Sequence, residues 1–255
     1  MPFSISGKNV LITGGTAGIG FATAEHFARH NANVVISGRR ENGEEIAKSI
    51  NCHFIRTDMS NHDDVERLFY KTVGLLGSLD VVINNAGGGK DDLISEIPME
   101  DHDFTVMLNM RSAFHVLQLA TLHLKDGGSI INTASIHGMR GVVKASTYAA
   151  TKAALISLTK SAALELGSRG IRVNAVSPGL IKSEIWQGND PIERSRITTP
   201  LGRMGEAEEI ANVFHFLASD AASYITGANL PVDGGFMAGM TSQVDQLINS
   251  SLVNP

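Results

Sequence analysis

The sequence predicts a single-domain α/β protein: a doubly wound parallel sheet of about seven strands, with helices on both faces. Three observations predict it. Short apolar runs alternate with helix-compatible segments from Lys8 to Val232, the order that gives parallel strands joined by crossover helices. Those runs are continuously apolar, as expected of strands covered on both sides. No linker, low-complexity tract or solenoid-type repeat interrupts the 255 residues. Right-handed crossovers then wind the chain into an open sheet.

Each element follows from the residues in order. Lys8–Thr13 is a short apolar run closed by glycines, a buried strand. Gly18–His30 is a helix with Ile19, Ala22, Phe27 and Ala28 on its apolar side. Asn33–Ser37 is the second strand and Glu41–Ile50 a helix; Cys52–Thr57 is the third strand and Asp63–Leu75 a helix. Leu79–Asn84 is the fourth strand, followed by one long helix over Met99–Leu124. Gly128–Ala134 is the fifth strand and Thr147–Ser168 an alanine-rich helix free of proline and, until Gly167, of glycine. Ile171–Ser177 is the sixth strand, Pro191–Thr199 a helical insert, Glu206–Ala218 a helix and Asn229–Val232 the seventh strand.

Composition narrows the function classes. Hydrophobic residues make up 43% and charged residues 18%, ordinary for a globular protein. A net charge of -5 gives no electrostatic case for nucleic acid or an anionic membrane. Cys52 is the sole cysteine, so no intrachain disulfide forms, which fits a reducing compartment. The start lacks a basic region followed by an apolar run, so no signal peptide is expected, and no stretch approaches the ~18 apolar residues of a membrane span. The expectation is a cytoplasmic protein.

In a sheet of this kind, ligands bind beyond the carboxyl ends of the strands. The first such loop is Thr13-Gly14-Gly15-Thr16-Ala17-Gly18-Ile19-Gly20, between a strand and a helix. Its glycines let the backbone approach a pyrophosphate, whose charge the helix N-terminus meets. The spacing is Gly14-x-x-x-Gly18-x-Gly20 rather than the common G-x-G-x-x-G, and a plain tight turn is the bland alternative. The second strand ends in Gly38-Arg39-Arg40, where an NAD-preferring site places an acid against the adenosine ribose. Arginines there can clamp a 2′-phosphate, so NADP is expected, with NAD the runner-up; a solvated basic turn is the alternative. Tyr148 and Lys152 lie four apart on one helix face. A phenol near pKa ~10 is a poor base, and a neighbouring cation favours its ionised form, making Tyr148 a candidate proton donor and acceptor for a substrate oxygen.

These residues together resemble the short-chain dehydrogenase/reductase family, a Rossmann-type fold, over Lys8 to about Gly235. The resemblance rests on the Gly14–Gly20 turn, Asn84-Asn85-Ala86-Gly87, Asn109, Ser135, Tyr148, Lys152, Pro178-Gly179 and Val232-Asp233-Gly234-Gly235. It implies that Tyr148 is the general acid in carbonyl reduction and the base in alcohol oxidation. It implies that Lys152 binds the nicotinamide ribose and depresses the Tyr148 pKa, that Ser135 holds the substrate oxygen, and that Asn109 positions a water linking Lys152 to solvent. Gly14, Thr16, Gly18, Ile19, Gly20, Arg39 and Arg40 would form the phosphate side of the cofactor site. Asp58 and Met59 would flank the adenine, and Asn85, Ala86 and Gly87 would line the adenosine ribose side. Pro178, Gly179, Ile181 and Ser183 would reach the nicotinamide, with Ser183 standing where the family usually has Thr. The segment 178–200 would form the substrate loop, with His137 and Trp186 as possible substrate contacts, and 237–255 a C-terminal tail.

No metal is indicated: hydride chemistry needs none, and the nine histidines show no paired spacing with acids resembling a zinc site. The expected partner is a small carbonyl or alcohol substrate. A catalytically silent dinucleotide-sensing or scaffold protein is the alternative, against which the intact Tyr148 and Lys152 argue. A narrower alternative is a 3-oxoacyl-thioester reductase, resembled at Glu165–Ile171 and the end of the chain, although Val142–Thr147 departs from the Asn-containing run those enzymes often show. The resemblance also implies a homotetramer built through the helices 99–124 and 147–168.

Overall fold

The computed structural model describes residues 1–182 and 192–246. Its strands are β1 (Asn9–Ile12), β2 (Asn33–Gly38), β3 (His53–Arg56), β4 (Leu79–Asn84), β5 (Leu124–Thr133), β6 (Arg172–Pro178) and β7 (Asn229–Val232). They form one parallel sheet in the order β3-β2-β1-β4-β5-β6-β7. The order reverses between β1 and β4, so the loops after these two strands open the crevice where a ligand fits.

Side chains of a strand alternate between faces, and both faces here are dry. Val10, Ile12, Val34, Ile36, Val81 and Ile83 join one core with α1 (Gly18–Arg29), α2 (Gly43–Ser49) and α8 (Ala207–Ala218). Their neighbours Leu11, Val35, Val82, Ile130 and Val173 join a second core with α3 (His62–Leu76), α5 (Ser112–His123) and α6 (Ser146–Leu166). This double burial is why the strands read as unbroken apolar runs.

The helix ends are handled differently from one another. Asn61 caps α3 by accepting from the Asp64 amide, and Gly77, at φ 79°, ends it in the left-handed region. Glu206 and Glu209 make a reciprocal capping box at the start of α8. Ala17 offers α1 no side-chain cap.

Two expected elements differ from what forms. The helix expected over 99–124 is broken: α4 (Met99–Val106) passes through a π-type turn at Met107–Arg111 before α5 begins. The fifth strand starts earlier than 128, because Leu124 pairs with Leu79 before the register shifts to Val81 opposite Ser129. The helical insert forms as α7 (Ile192–Thr198).

Candidate active site

The carboxyl edge of the parallel sheet gathers the loops after β1 to β7. At the first, Gly14 has φ +68° and Gly18 φ +52°, which glycine adopts without strain. A Cβ on Gly20 would lie 2.2 Å from the Gly14 carbonyl oxygen, and one on Gly15 would lie 2.5 Å from Ile36 Cβ. The turn can therefore be this tight only with these glycines, and the first amides of α1 meet no side-chain cap. That combination fits a pyrophosphate held by backbone N–H groups.

The next loop bears on the cofactor's ribose. Thr16 is buried against Gly38: a Cβ there would meet Thr16 Oγ1 at 2.7 Å. An acid at position 38 is thus absent and sterically disfavoured. Arg39 and Arg40 are exposed beyond it. Burial raises the Asp58 carboxyl, but hydrogen bonds from the Ser60 amide and hydroxyl, with the Arg39 charge, hold it below its ordinary value. Arg39 therefore sits on the Asp58 side of the crevice.

The four expected catalytic residues come together. Ser135, 8% exposed, caps a 3-10 turn at Ile136–Gly138 by accepting from the His137 amide at 3.1 Å. A Cβ on Gly138 would lie 2.7 Å from the Lys152 carbonyl carbon, so this glycine lets the turn lie directly on α6. The turn brings Ser135 to Tyr148. Burial pushes the Tyr148 phenol above its ordinary pKa, the Ser135 hydrogen bond draws it back, and the Asp91 carboxylate adds to the rise. Lys152, 3% exposed, donates from Nζ to the Thr133 carbonyl at 2.7 Å, and burial lowers its ammonium to about 8. Asn109, inside the π-type turn, accepts from the Gly88 amide at 2.9 Å and donates to the Gly88 carbonyl at 2.7 Å and to Thr151 Oγ1 at 3.2 Å. A Cβ on Gly87 would lie 3.0 Å from Asn109 Oδ1 and 3.1 Å from Lys152 Nζ, which ties the β4 loop to both.

Several expectations need correction. The Tyr148 phenol stands above its ordinary pKa rather than depressed, with Lys152 Nζ 5.6 Å from its ring centre and turned to Thr133. Desolvation is the largest influence on the phenol, moving it up, and the one that moves the ammonium down. The Asn85 side chain is committed inside the protein, donating to the Thr13 and Gly14 carbonyls at 3.0 and 3.4 Å and accepting from Thr133 Oγ1 at 3.2 Å. It is a staple between the loops after β1, β4 and β5. Ala86 backs against Gly14, whose Cβ would lie 3.0 Å from Ala86 Cα. The Met59 thioether belongs to the α3-side core and the Ile181 side chain to the α8-side core. Pro178 ends β6, and Gly179 packs so closely on Asp233 that a Cβ would lie 2.7 Å from its Cα. Ser183 and Trp186 lie outside the described residues, as do the parts 183–191 of the substrate loop and 247–255 of the tail.

Two residues were missed. Thr13 Oγ1 accepts from the Asn85 and Ala86 amides at 3.0 and 2.9 Å, aligning the β1 and β4 loops; its place between strand and glycine turn was the available signal. Asp91 reaches the Tyr148 side of the crevice through the fold alone. His137 stands edge-on to Tyr148, with ring centres 6.1 Å apart, and its pKa is lowered by burial against the pull of Asp91. A shallow cleft of about 380 Å³, lined by Asn9, Asn33 and His53, lies at the amino edge of the sheet and holds none of these groups.

The sequence profile of a family described as "Enoyl-(Acyl carrier protein) reductase" matches residues 14–237. The chain is 38% identical over 239 residues to the 3-oxoacyl-(acyl-carrier-protein) reductase FabG of Staphylococcus aureus, covering 89% of this chain and 97% of that protein. It is 37% identical to the Thermotoga maritima FabG over 245 residues, 91% of this chain and 99% of the relative. A short-chain type dehydrogenase/reductase from Mycobacterium marinum superimposes with a TM-score of 0.88 at 34% identity, over 93% of this chain and 98% of that one. A blue fluorescent protein from a metagenomic library, solved with NADPH, superimposes at 0.87 with 31% identity, over 91% and 99% of the two chains.

Proposed function

The chain belongs to the short-chain dehydrogenase/reductase family, and from that premise we propose that it reduces the ketone of a 3-oxoacyl thioester with NADPH. The coarser statement holds outright: it is an NAD(P)-dependent oxidoreductase acting on a carbonyl/alcohol pair. The observation that carries the carbonyl chemistry is the hydrogen bond between the Ser135 and Tyr148 hydroxyls, with the buried Lys152 one turn along α6. The identity to the FabG relatives supports the thioester as substrate class.

Gly14, Gly18, Ile19 and Gly20 would hold the pyrophosphate, Arg39 and Arg40 the 2′-phosphate, Asp58 the adenine side, and Lys152 the nicotinamide ribose. When bound, the cofactor supplies the hydride. Negative charge then grows on the substrate oxygen. Ser135 donates a hydrogen bond to that oxygen and Tyr148 transfers its phenolic proton. A phenol held above its ordinary pKa is fully protonated at neutral pH, which suits the acid role and the reductive direction. Lys152 and Asn109 lie where the proton can be replaced through the Gly87–Gly88 loop. Among the described residues no helix is long and apolar enough to cross a membrane, and with a single cysteine we place the protein in the cytoplasm.

A tetramer is part of the same proposal. Met110 is 42% exposed, Phe114 47%, Leu122 75% and Leu164 85%, an apolar cover on the π-type turn, α5 and α6 that a second copy would bury. Light scattering at micromolar concentration checks it, and a monomer would contradict it.

The substrate reading is tested by NADPH oxidation across acetoacetyl thioesters, simple ketones, β-ketoesters and keto-sugars. The thioester should give the highest kcat/KM. A keto-sugar or simple ketone turned over at least tenfold better would overturn the substrate class and leave the carbonyl chemistry standing.

A further inference from the structure

At the far end of α1 from the glycine turn, three histidines converge between α1, α8 and the N-terminal segment. His26 lies in the last turn of α1, His30 is the residue that ends it, and His215 reaches across from α8. Ring centres are 4.3 Å apart for His26–His30, 4.7 Å for His30–His215 and 5.1 Å for His26–His215. One nitrogen from each ring lies within 4.8 Å of those of the other two.

The hydrogen bonds fix which nitrogens carry protons. His26 Nδ1 faces Glu208 Oε1 at 2.8 Å, His30 Nδ1 faces the His26 carbonyl at 2.7 Å, and His215 Nε2 faces the Phe3 carbonyl at 2.7 Å. A carboxylate and two carbonyls can only accept, so all three of these nitrogens are N–H donors. The neutral rings then present lone pairs at His26 Nε2, His30 Nε2 and His215 Nδ1. His26 Nε2 and His215 Nδ1 are 2.9 Å apart. Two lone pairs at that distance repel unless a proton or a cation lies between them.

We propose that His26, His30 and His215 form a binding site for a divalent transition metal, and assign zinc to it. Three imidazoles are a usual donor set for this ion, in tetrahedral array at about 2.0–2.1 Å. Tetrahedral geometry at that bond length sets ligand nitrogens about 3.3 Å apart, so the 2.9 Å pair opens by a few tenths of an ångström. Each ring already gives its second nitrogen to a carboxylate or carbonyl, the outer-shell arrangement that orients metal-binding histidines. Glu208 also accepts from Arg29 at 2.9 Å, and Arg29 lies 3.7 Å from Glu25, so the surroundings carry both signs of charge. His30 is exposed, which opens the site to solvent and leaves the fourth position to water. The site would tie α1, α8 and the Phe3 segment together. It lies roughly 12 Å along α1 from the glycine turn, by helix rise, so its role is structural and independent of the active-site reading.

A second cluster, His62, Glu66 and His115, supplies the control. The His62 and His115 rings are stacked at 3.7 Å and 15°, which sends their nitrogens side by side rather than toward one point. The test uses the full chain, stripped with a chelator and dialysed against micromolar Zn²⁺, with the unfolding midpoint measured in parallel. The wild type and His62→Gln should each bind one ion per chain and unfold several degrees higher with metal. His30→Gln, altered at an exposed position, should lose at least tenfold in affinity and lose that shift. Glu208→Gln should bind about 10–100-fold more weakly. NADPH turnover should be the same in all of them. No binding by the wild type, unchanged binding in His30→Gln, or loss of binding in His62→Gln would each overturn the proposal.

Discussion

Thr16 occupies the space that a side chain on Gly38 would need, with Oγ1 2.7 Å from the position of its Cβ. A ribose-binding acid is thereby excluded at the end of β2, and the charge next in line is the Arg39 guanidinium, close enough to lower the Asp58 pKa. Arg39→Asp should accordingly raise KM for NADPH by at least tenfold and change KM for NADH little or favourably. Equal losses with both cofactors would mean that Arg39 serves the fold rather than the 2′-phosphate. At this scale the chemistry-bearing residues were legible, because Tyr148, Lys152, Ser135 and the glycines are constrained by type and spacing. The inward turn of Met59, Ile181 and the Asn85 side chain was not, because it depends on partners far along the chain. The same is true of the Tyr148 pKa, which burial by distant segments sets.

The helices place the site through their ends and their irregularities. α1 begins without a side-chain cap where α3 and α8 have one, so its first amides remain for an anion. The π-type turn at Met107–Arg111 holds Asn109 against Gly88 and Thr151. Wider turns of this kind recur at functional sites because one extra residue re-aims a side chain. Deleting Met110 would let the segment close as a regular helix, with α4 and α5 still in register but Asn109 turned away from Gly88 and Thr151. Turnover should fall at least a hundredfold while the helical circular-dichroism signal is retained, and full activity would show that the turn has no positioning role. The sequence predicts one unbroken helix here, because Met-Leu-Asn-Met-Arg has ordinary helix-forming character and the widened turn arises from tertiary contacts.

For the whole molecule, two dry cores on one parallel sheet were readable from apolar runs without alternation. The histidine cluster was not, since His215 is brought to His26 and His30 only by the packing of α8 on α1. The buried Lys152 adds a pH dependence to global stability. Its pKa is about 8 in the folded protein against 10.5 for the free side chain. Between these values the unfolded chain binds more protons, so this site's contribution rises with pH through that window. Below about 8 both states carry the proton, and the cost of burying the charge is fully present. Lys152→Met should therefore fold, unfold a few degrees higher at pH 7, and lose the rise in stability between about pH 8 and 10. A large destabilisation at pH 7 would show that the Thr133 hydrogen bond outweighs the desolvation.

The central claim is that Tyr148 transfers the proton to the substrate oxygen. It is tested most directly by NADPH oxidation with an acetoacetyl thioester, wild type beside Tyr148→Phe, with NADPH affinity measured on both. The phenylalanine variant should keep its cofactor affinity within a few fold and lose roughly 10²–10⁴ in kcat. A variant that binds NADPH equally well and turns over at the wild-type rate would contradict the account.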